Sequence, residues 1–196
     1  NKATTNALWS LVGTYHSLPV VYDEMTTLDD GKLIAEMIFS ISDGSQKERC
    51  DSSGNIRNNN SNWRTIVSAS GNNLLSEKLS IYRANAEAEI CRIFEYTIPK
   101  IPQDRAPVPV AEAASLVPKL LENHGHAGRQ FIAHVVENYD EVRELLSKTR
   151  GKVNSYLKIQ QSERFWSGLQ ASVFTALQIC KQLDILQFDV AAMLKW

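Results

Sequence analysis

The 196-residue chain has little cysteine and no cysteine motif: Cys50, Cys91 and Cys180 stand far apart, with no CxxC. An odd, scattered set argues against a disulfide framework and points to a reducing cytoplasm, that of a bacterial host in the reading developed below. No apolar run approaches the ~18 residues of a membrane span, and no signal-peptide core is present, so no membrane partner is expected. An excess of one charge is missing too. The formal net charge is −1, with 10 Lys+Arg against 12 Asp+Glu in residues 1–100 and 11 against 10 in residues 101–196. Neither half is a charged tail, and no global basic field advertises nucleic acid, although local patches can still bind it. The phosphate-loop pattern, GxxxxGK followed by Ser or Thr, does not occur. The only Gly-Lys pairs, Gly31-Lys32 and Gly151-Lys152, lack both the upstream Gly and the hydroxyl residue. The chain opens on Asn1-Lys-Ala-Thr-Thr, without an initiator Met and with helix-like text under way, and reads as a fragment of something longer.

What is present is an ordinary globular composition, 43% hydrophobic and 22% charged, without internal repeats. Thr4 or Thr5 is placed to cap a short helix through Val12, closed by Gly13. Pro19 to Tyr22 is β-rich and long enough for a buried strand. Asp29 or Asp30 then caps an amphipathic helix whose Leu33, Ile34, Met37, Ile38 and Ile41 recur at helical spacing, with Gly44 at its end. Lys47 to Arg57 fits a polar, hairpin-like loop. Trp63 to Ala69 reads as a second strand, Leu74 to Tyr82 as a short helix, and Ile90 to Ile98 as a third strand stopped by Pro99. Four prolines between Pro99 and Pro109 mark a boundary. Beyond it Val110–Asn123, Ala127–Lys148 and Ser162–Lys181 read as helices, punctuated by Gly125, Gly128 and Gly151. In the last helix Phe165, Trp166, Leu169, Val173, Phe174, Leu177 and Cys180 form the expected core stripe. The expectation is an α/β layer with a mostly parallel sheet over residues 1–100, followed by an all-helical lobe over residues 101–196.

The chemistry sits at LPVVYDEM, Leu18 to Met25. In nucleotide hydrolases an apolar strand ending in Asp-Glu places the Asp to hold Mg²⁺ and the Glu to activate the attacking water. The carboxyl end matters because open α/β sheets bind ligands there. Asp23 and Glu24 fit those roles; the plain alternative is a polar strand end entering a loop. WRTIVSASGN ends in a small polar run. Asn72, or Ser70 as runner-up, fits a residue that senses the γ-phosphate, the alternative being turn text in Ser-Gly-Asn-Asn.

In order, LPVVYDEMT, FSISDGSQKERC, NWRTIVSASGN, CRIFEYTIP and HGHAGRQFIAHVVEN resemble the family catalogued as domain of unknown function 927, found in phage and other mobile-element primase/helicase proteins. The resemblance runs from about Thr4 to Trp196. It implies a partial P-loop NTPase fold of the RecA/AAA+-like kind, with ATP and Mg²⁺ as cofactors. Asp23-Glu24 becomes the Walker B pair, Asp23 the Mg²⁺ ligand and Asn72 the sensor, with the phosphate loop upstream. The chain departs from the family in lacking that loop, and in AEAEICR, where a glycine-containing turn is expected. The implied function is ATP-driven translocation on, or unwinding of, single-stranded or duplex DNA by a homo-oligomeric ring.

A ring needs an arginine that reaches the neighbour's γ-phosphate, and Arg83 and Arg92 are the candidates. The alternative is an ion pair with Glu87 or Glu89 on the surface. Arg164, early in the last long helix, resembles a lid arginine offered to the nucleotide. His124-Gly-His126 reads as a decorated turn around an αL glycine rather than a metal site. A degenerate, non-catalytic scaffold for replication partners is the rival function. A stand-alone nuclease would need more clustered acids than Asp23, Glu24 and Asp43. Lys47, Arg49 and Arg57 lie on the polar loop, where helicase pore loops touch DNA phosphates. Lys47→Ala and Arg49→Ala are therefore expected to weaken single-strand binding while ATP affinity stays unchanged. Equal oligonucleotide binding by wild type and both variants would return the loop to solvent.

Overall fold

The computed structural model describes residues 5–23, 30–45, 62–99, 108–187 and 189–193. The chain divides into two compact units, Asn1–Glu95 and Tyr96–Trp196. In the first unit α1 (Thr5–Tyr15) leads into β1 (Val20–Tyr22), α2 (Gly31–Asp43) and β2 (Val67–Ala69), followed by α3 (Leu75–Tyr82) and a one-turn helix α4 (Glu87–Ile90). α1 runs through Gly13 rather than stopping there, and ends where His16 turns to a positive φ of 53°.

β1 and β2 pair in parallel, Val20 opposite Val67, Val21 opposite Ser68 and Tyr22 opposite Ala69. Since α2 lies between them in sequence, the unit is built around a β-α-β crossover. The second strand is shorter than Trp63–Ala69 suggests. Only its last three residues pair in the ladder; the run before it is tied by Val20 N donating to Ile66 O at 3.1 Å, Arg64 N donating to His16 O at 3.0 Å and Thr65 Oγ1 donating to Leu18 O at 2.5 Å.

α2 starts and stops on side-chain chemistry visible in the sequence. Asp30 is its N-cap, with Oδ1 accepting from the amides of Lys32 (2.9 Å) and Leu33 (3.3 Å). Gly44 closes it in the left-handed region at φ 74°, and its amide returns to Ser40 O and Ile41 O. A side chain at position 44 would stand 2.7 Å from the Trp63 carbonyl oxygen, so glycine is required on both counts. Gly31 is required by closeness instead: a Cβ there would meet the Tyr82 Cβ at 2.4 Å, where α3 crosses α2. The apolar stripe of α2 feeds two cores. Met37 joins Trp9, Val12, Val20 and Trp63, with the two indoles stacked 5.8 Å apart. Ile34, Ala35 and Ile38 join Leu79 and Ala86.

The third strand is not formed. Glu87–Ile90 makes a helical turn instead, with Ile90 N donating to Ala86 O (3.0 Å) and Cys91 N to Glu87 O (2.9 Å). Residues 93–99 follow with no regular structure. Ala-Glu-Ala-Glu is strong helix text, and it takes the amides that a strand would need. Glu95, inside the expected strand, serves as a helix cap. Its carboxylate accepts from Leu75 N (2.6 Å) and Ser76 N (3.1 Å) at the N-terminus of α3.

The second unit is helical among its described residues: α5 (Val110–Glu122), α6 (His126–Glu137), α7 (Tyr139–Leu157), a 3-10 turn (Gln161–Glu163), α8 (Arg164–Gln182) and α9 (Val190–Met193). The expected Ala127–Lys148 helix is two helices, parted at Asn138, whose amide side chain donates to His134 O at 2.9 Å. Gly151 lies inside α7, which continues to Lys158 in the left-handed region. Gly125, at φ 82°, precedes α6 as its cap. α7 packs on α8 through Thr149 and Val153 on one side, and Ser167, Ala171, Phe174, Thr175 and Ile179 on the other. Of the expected stripe only Phe174 belongs to this buried face, and Val173 is exposed. Small residues at 167 and 171 let the helices approach closely, which turns the bulkier side chains to the flanks. No described helix is long and apolar enough to cross a membrane.

Gly44→Ala is expected to lower stability by about 2 kcal/mol, from left-handed strain and the Trp63 carbonyl. Gly128→Ala, in an open helical position of α6, is expected to raise it by about 0.5–1 kcal/mol. Urea unfolding of both variants reads the two signs.

Candidate active site

The parallel ladder brings the carboxyl ends of β1 and β2 side by side. Ser70 N donates to Tyr22 O at 3.0 Å, which continues the ladder one step past β2. Its hydroxyl donates a short hydrogen bond to Asp23 Oδ1. The two strand-end positions singled out in sequence, 47 residues apart, therefore touch. Ser70, the runner-up, makes this contact, while Asn72 lies two residues further along the exposed turn into α3. Beneath the pair, burial pushes the Tyr22 phenol above its ordinary pKa. Glu24, Lys47, Arg49 and Arg57 lie outside the described residues.

Asp23 is exposed, and a carboxylate oxygen beside a hydroxyl is a hard-oxygen donor set. Mg²⁺ is usually held by one or two carboxylates together with waters and substrate phosphates, so a lone Asp at a strand end fits it. Among the described residues no group of three or more His, Cys, Asp or Glu is placed to hold a metal alone, His124 and His126 included.

The two arginines are used differently. Arg92 does not begin a strand; it sits in the turn after α4, with Nε donating to Ser42 Oγ (3.0 Å) and Nη1 to Ala88 O (2.6 Å). Its guanidinium lies over the Phe39 ring, 4.5 Å from the centroid. It fastens α4 to the end of α2. Arg83 caps the C-terminus of α3 and donates from Nη1 to Glu89 Oε1 at 3.0 Å. The ion pair with Glu89 that the sequence offers as an alternative is therefore formed, but only its arginine stands at the surface. The Arg83 side chain is 56% exposed, whereas that of Glu89 is 1% exposed, and its Oε2 has no hydrogen-bond partner among the described residues. Nothing in the sequence signals that burial, because Glu89 stands among alternating Ala and Glu. Arg164, in the second unit, opens α8 with its guanidinium 5.1 Å from the centre of the Phe165 ring.

No family model, curated protein or solved structure gives a significant match to the chain.

Removing Arg83 strands a buried carboxylate, which costs far more than losing an exposed ion pair. Arg83→Ala is expected to destabilise the chain by about 2 kcal/mol, and adding Glu89→Leu is expected to recover most of it. A double-mutant cycle by chemical denaturation measures the coupling; additive effects would show that the pair does not act as a unit.

Proposed function

We propose that this chain is the C-terminal part of a helicase-type ATPase that couples Mg²⁺-ATP hydrolysis to movement along, or unwinding of, DNA in mobile-element replication. The observation that carries the reading is the meeting of Asp23 and Ser70 at the carboxyl ends of two parallel strands joined by a helical crossover. That is where α/β sheets present catalytic groups to a nucleotide.

In this reading Asp23 would hold Mg²⁺, which would supply neutralisation of the nucleotide's phosphate charge. Ser70 donates to one Asp23 oxygen and so steadies the carboxylate. Glu24, next in sequence, takes a proton from the attacking water. Asn72, on the turn beyond Ser70, orients that water or the γ-phosphate. Arg83 serves the subunit interface better than Arg92, because Arg92 has its Nε and Nη1 committed to Ser42 and Ala88. Arg164 serves as the lid arginine. The phosphate-cradling loop is not among the 196 residues, so a longer chain supplies it.

The test is ATP turnover, with and without single-stranded DNA, by the chain extended into its upstream reading frame. Glu24→Gln is expected to cut turnover by about 10²–10⁴-fold with nucleotide binding retained. Turnover indifferent to Glu24→Gln would overturn the reading and leave Asp23-Glu24 a strand end.

A further inference from the structure

Charge is sharply uneven within the second unit. Residues 108–144 carry six Asp or Glu against three Lys or Arg, whereas residues 145–183 carry six Lys or Arg against the single acid Glu163. Three of those six, Lys148, Lys152 and Lys181, line a groove of about 1080 Å³ between α7 and α8, with Asp189 and Val190 of the α9 segment at its margin. Lys148, Lys152 and Tyr156 line it from α7 at four-residue intervals, which places them in a row along one face of that helix. Phe174, Gln178 and Lys181 line it from α8, again at helical spacing. Gln178 is structural, its amide donating to Thr149 Oγ1 (3.3 Å) and Phe174 O (3.2 Å). Lys148 has Glu144 at 2.7 Å, one turn back. Among the described residues Lys152 and Lys181 have no ion pair. Tyr156, at the end of the row, is 58% exposed.

We propose that this groove binds a single strand of nucleic acid. Its parts match what such a ligand presents. Lys152 and Lys181 meet backbone phosphates, and Tyr156 offers a stacking face to a base. Val153 and Phe174 give the floor an apolar character suited to unstacked bases. A duplex keeps its bases stacked inside and has no use for an exposed ring beside an apolar floor. An acidic peptide would use the lysines but gains little from Tyr156. The assignment rests on the DNA-handling half of the proposed function and is independent of the hydrolytic half.

The experiment is fluorescence anisotropy of a labelled oligo-dT against the whole chain, without nucleotide, across a salt series. Circular dichroism checks that each variant is folded. Lys152→Gln with Lys181→Gln is expected to weaken binding about tenfold or more, and to flatten the log–log salt slope by roughly 1.4, about 0.7 for each phosphate no longer neutralised. Tyr156→Ala is expected to weaken binding about tenfold with the salt slope unchanged. Lys119→Gln with Arg129→Gln, the same loss of charge outside the groove, is expected to leave binding alone. Wild-type chain that fails to bind the oligonucleotide would overturn both the groove and the DNA half of the function. Binding that survives the groove variants but falls with Lys47→Ala and Arg49→Ala would overturn the groove alone. So would displacement of the oligonucleotide by an equal charge concentration of polyglutamate. Oligonucleotide binding by this chain, with no ATP turnover by the chain extended into its upstream reading frame, would instead remove the ATPase and keep the groove.

Discussion

Everything in the first unit depends on a ladder three residues long. Two parallel strands of this length do not stand alone in water, and the fold supplies what the ladder lacks. Trp9 and Trp63 stack beneath it, Met37 reaches it from α2, and Val20 turns into the same cluster. The other side is open: Val21, opposite Ser68, is 77% exposed. Strands of parallel sheets are normally covered on both faces, so this face and the outer strand edges are where further chain would add under the proposed function. The Asp23–Ser70 contact comes directly from the register. A slip of one residue would send Val20 outward and separate the two strand ends.

What is legible in the sequence follows the strength of local signals. α2 can be read nearly to the residue, because Asp30, the apolar period and Gly44 all act within a few residues of one another. The parallel pairing can be read from the alternation of strand and helix, and Asp23 from its place after a short apolar run. The third strand misleads because Ile, Phe and Tyr in ICRIFEYTI favour β-structure, while the preceding Ala-Glu repeat sets a helical turn that claims the Ile90 and Cys91 amides. The buried face of α8 misleads for another reason. Hydrophobicity identifies which side chains are apolar, but close packing is decided by which are small, and Ser167 and Ala171 prevail over Phe165 and Leu169. Glu89 is illegible in principle. Nothing local distinguishes a glutamate that will be buried from one that will be solvated, since its partner, Arg83, is chosen by how α4 folds back on α3.

That partnership bears most on how a site of this kind works. A guanidinium on a flexible stem loses rotamer freedom when it engages an anion, and this loss weakens most exposed arginine contacts. A buried carboxylate behind it removes much of that freedom in advance. Glu89 fixes one Nη of Arg83 from below, while more than half of the side chain stays in solvent. Arg92, by contrast, has its Nε and Nη1 engaged in holding α4 to α2, with its face against Phe39. Two arginines nine residues apart thus divide the work. One stabilises the turn that buries Glu89, and the buried Glu89 holds the other. Under the proposed function, losing Arg92 would disturb the site indirectly, by releasing the turn, whereas losing Arg83 would remove the group that reaches outward.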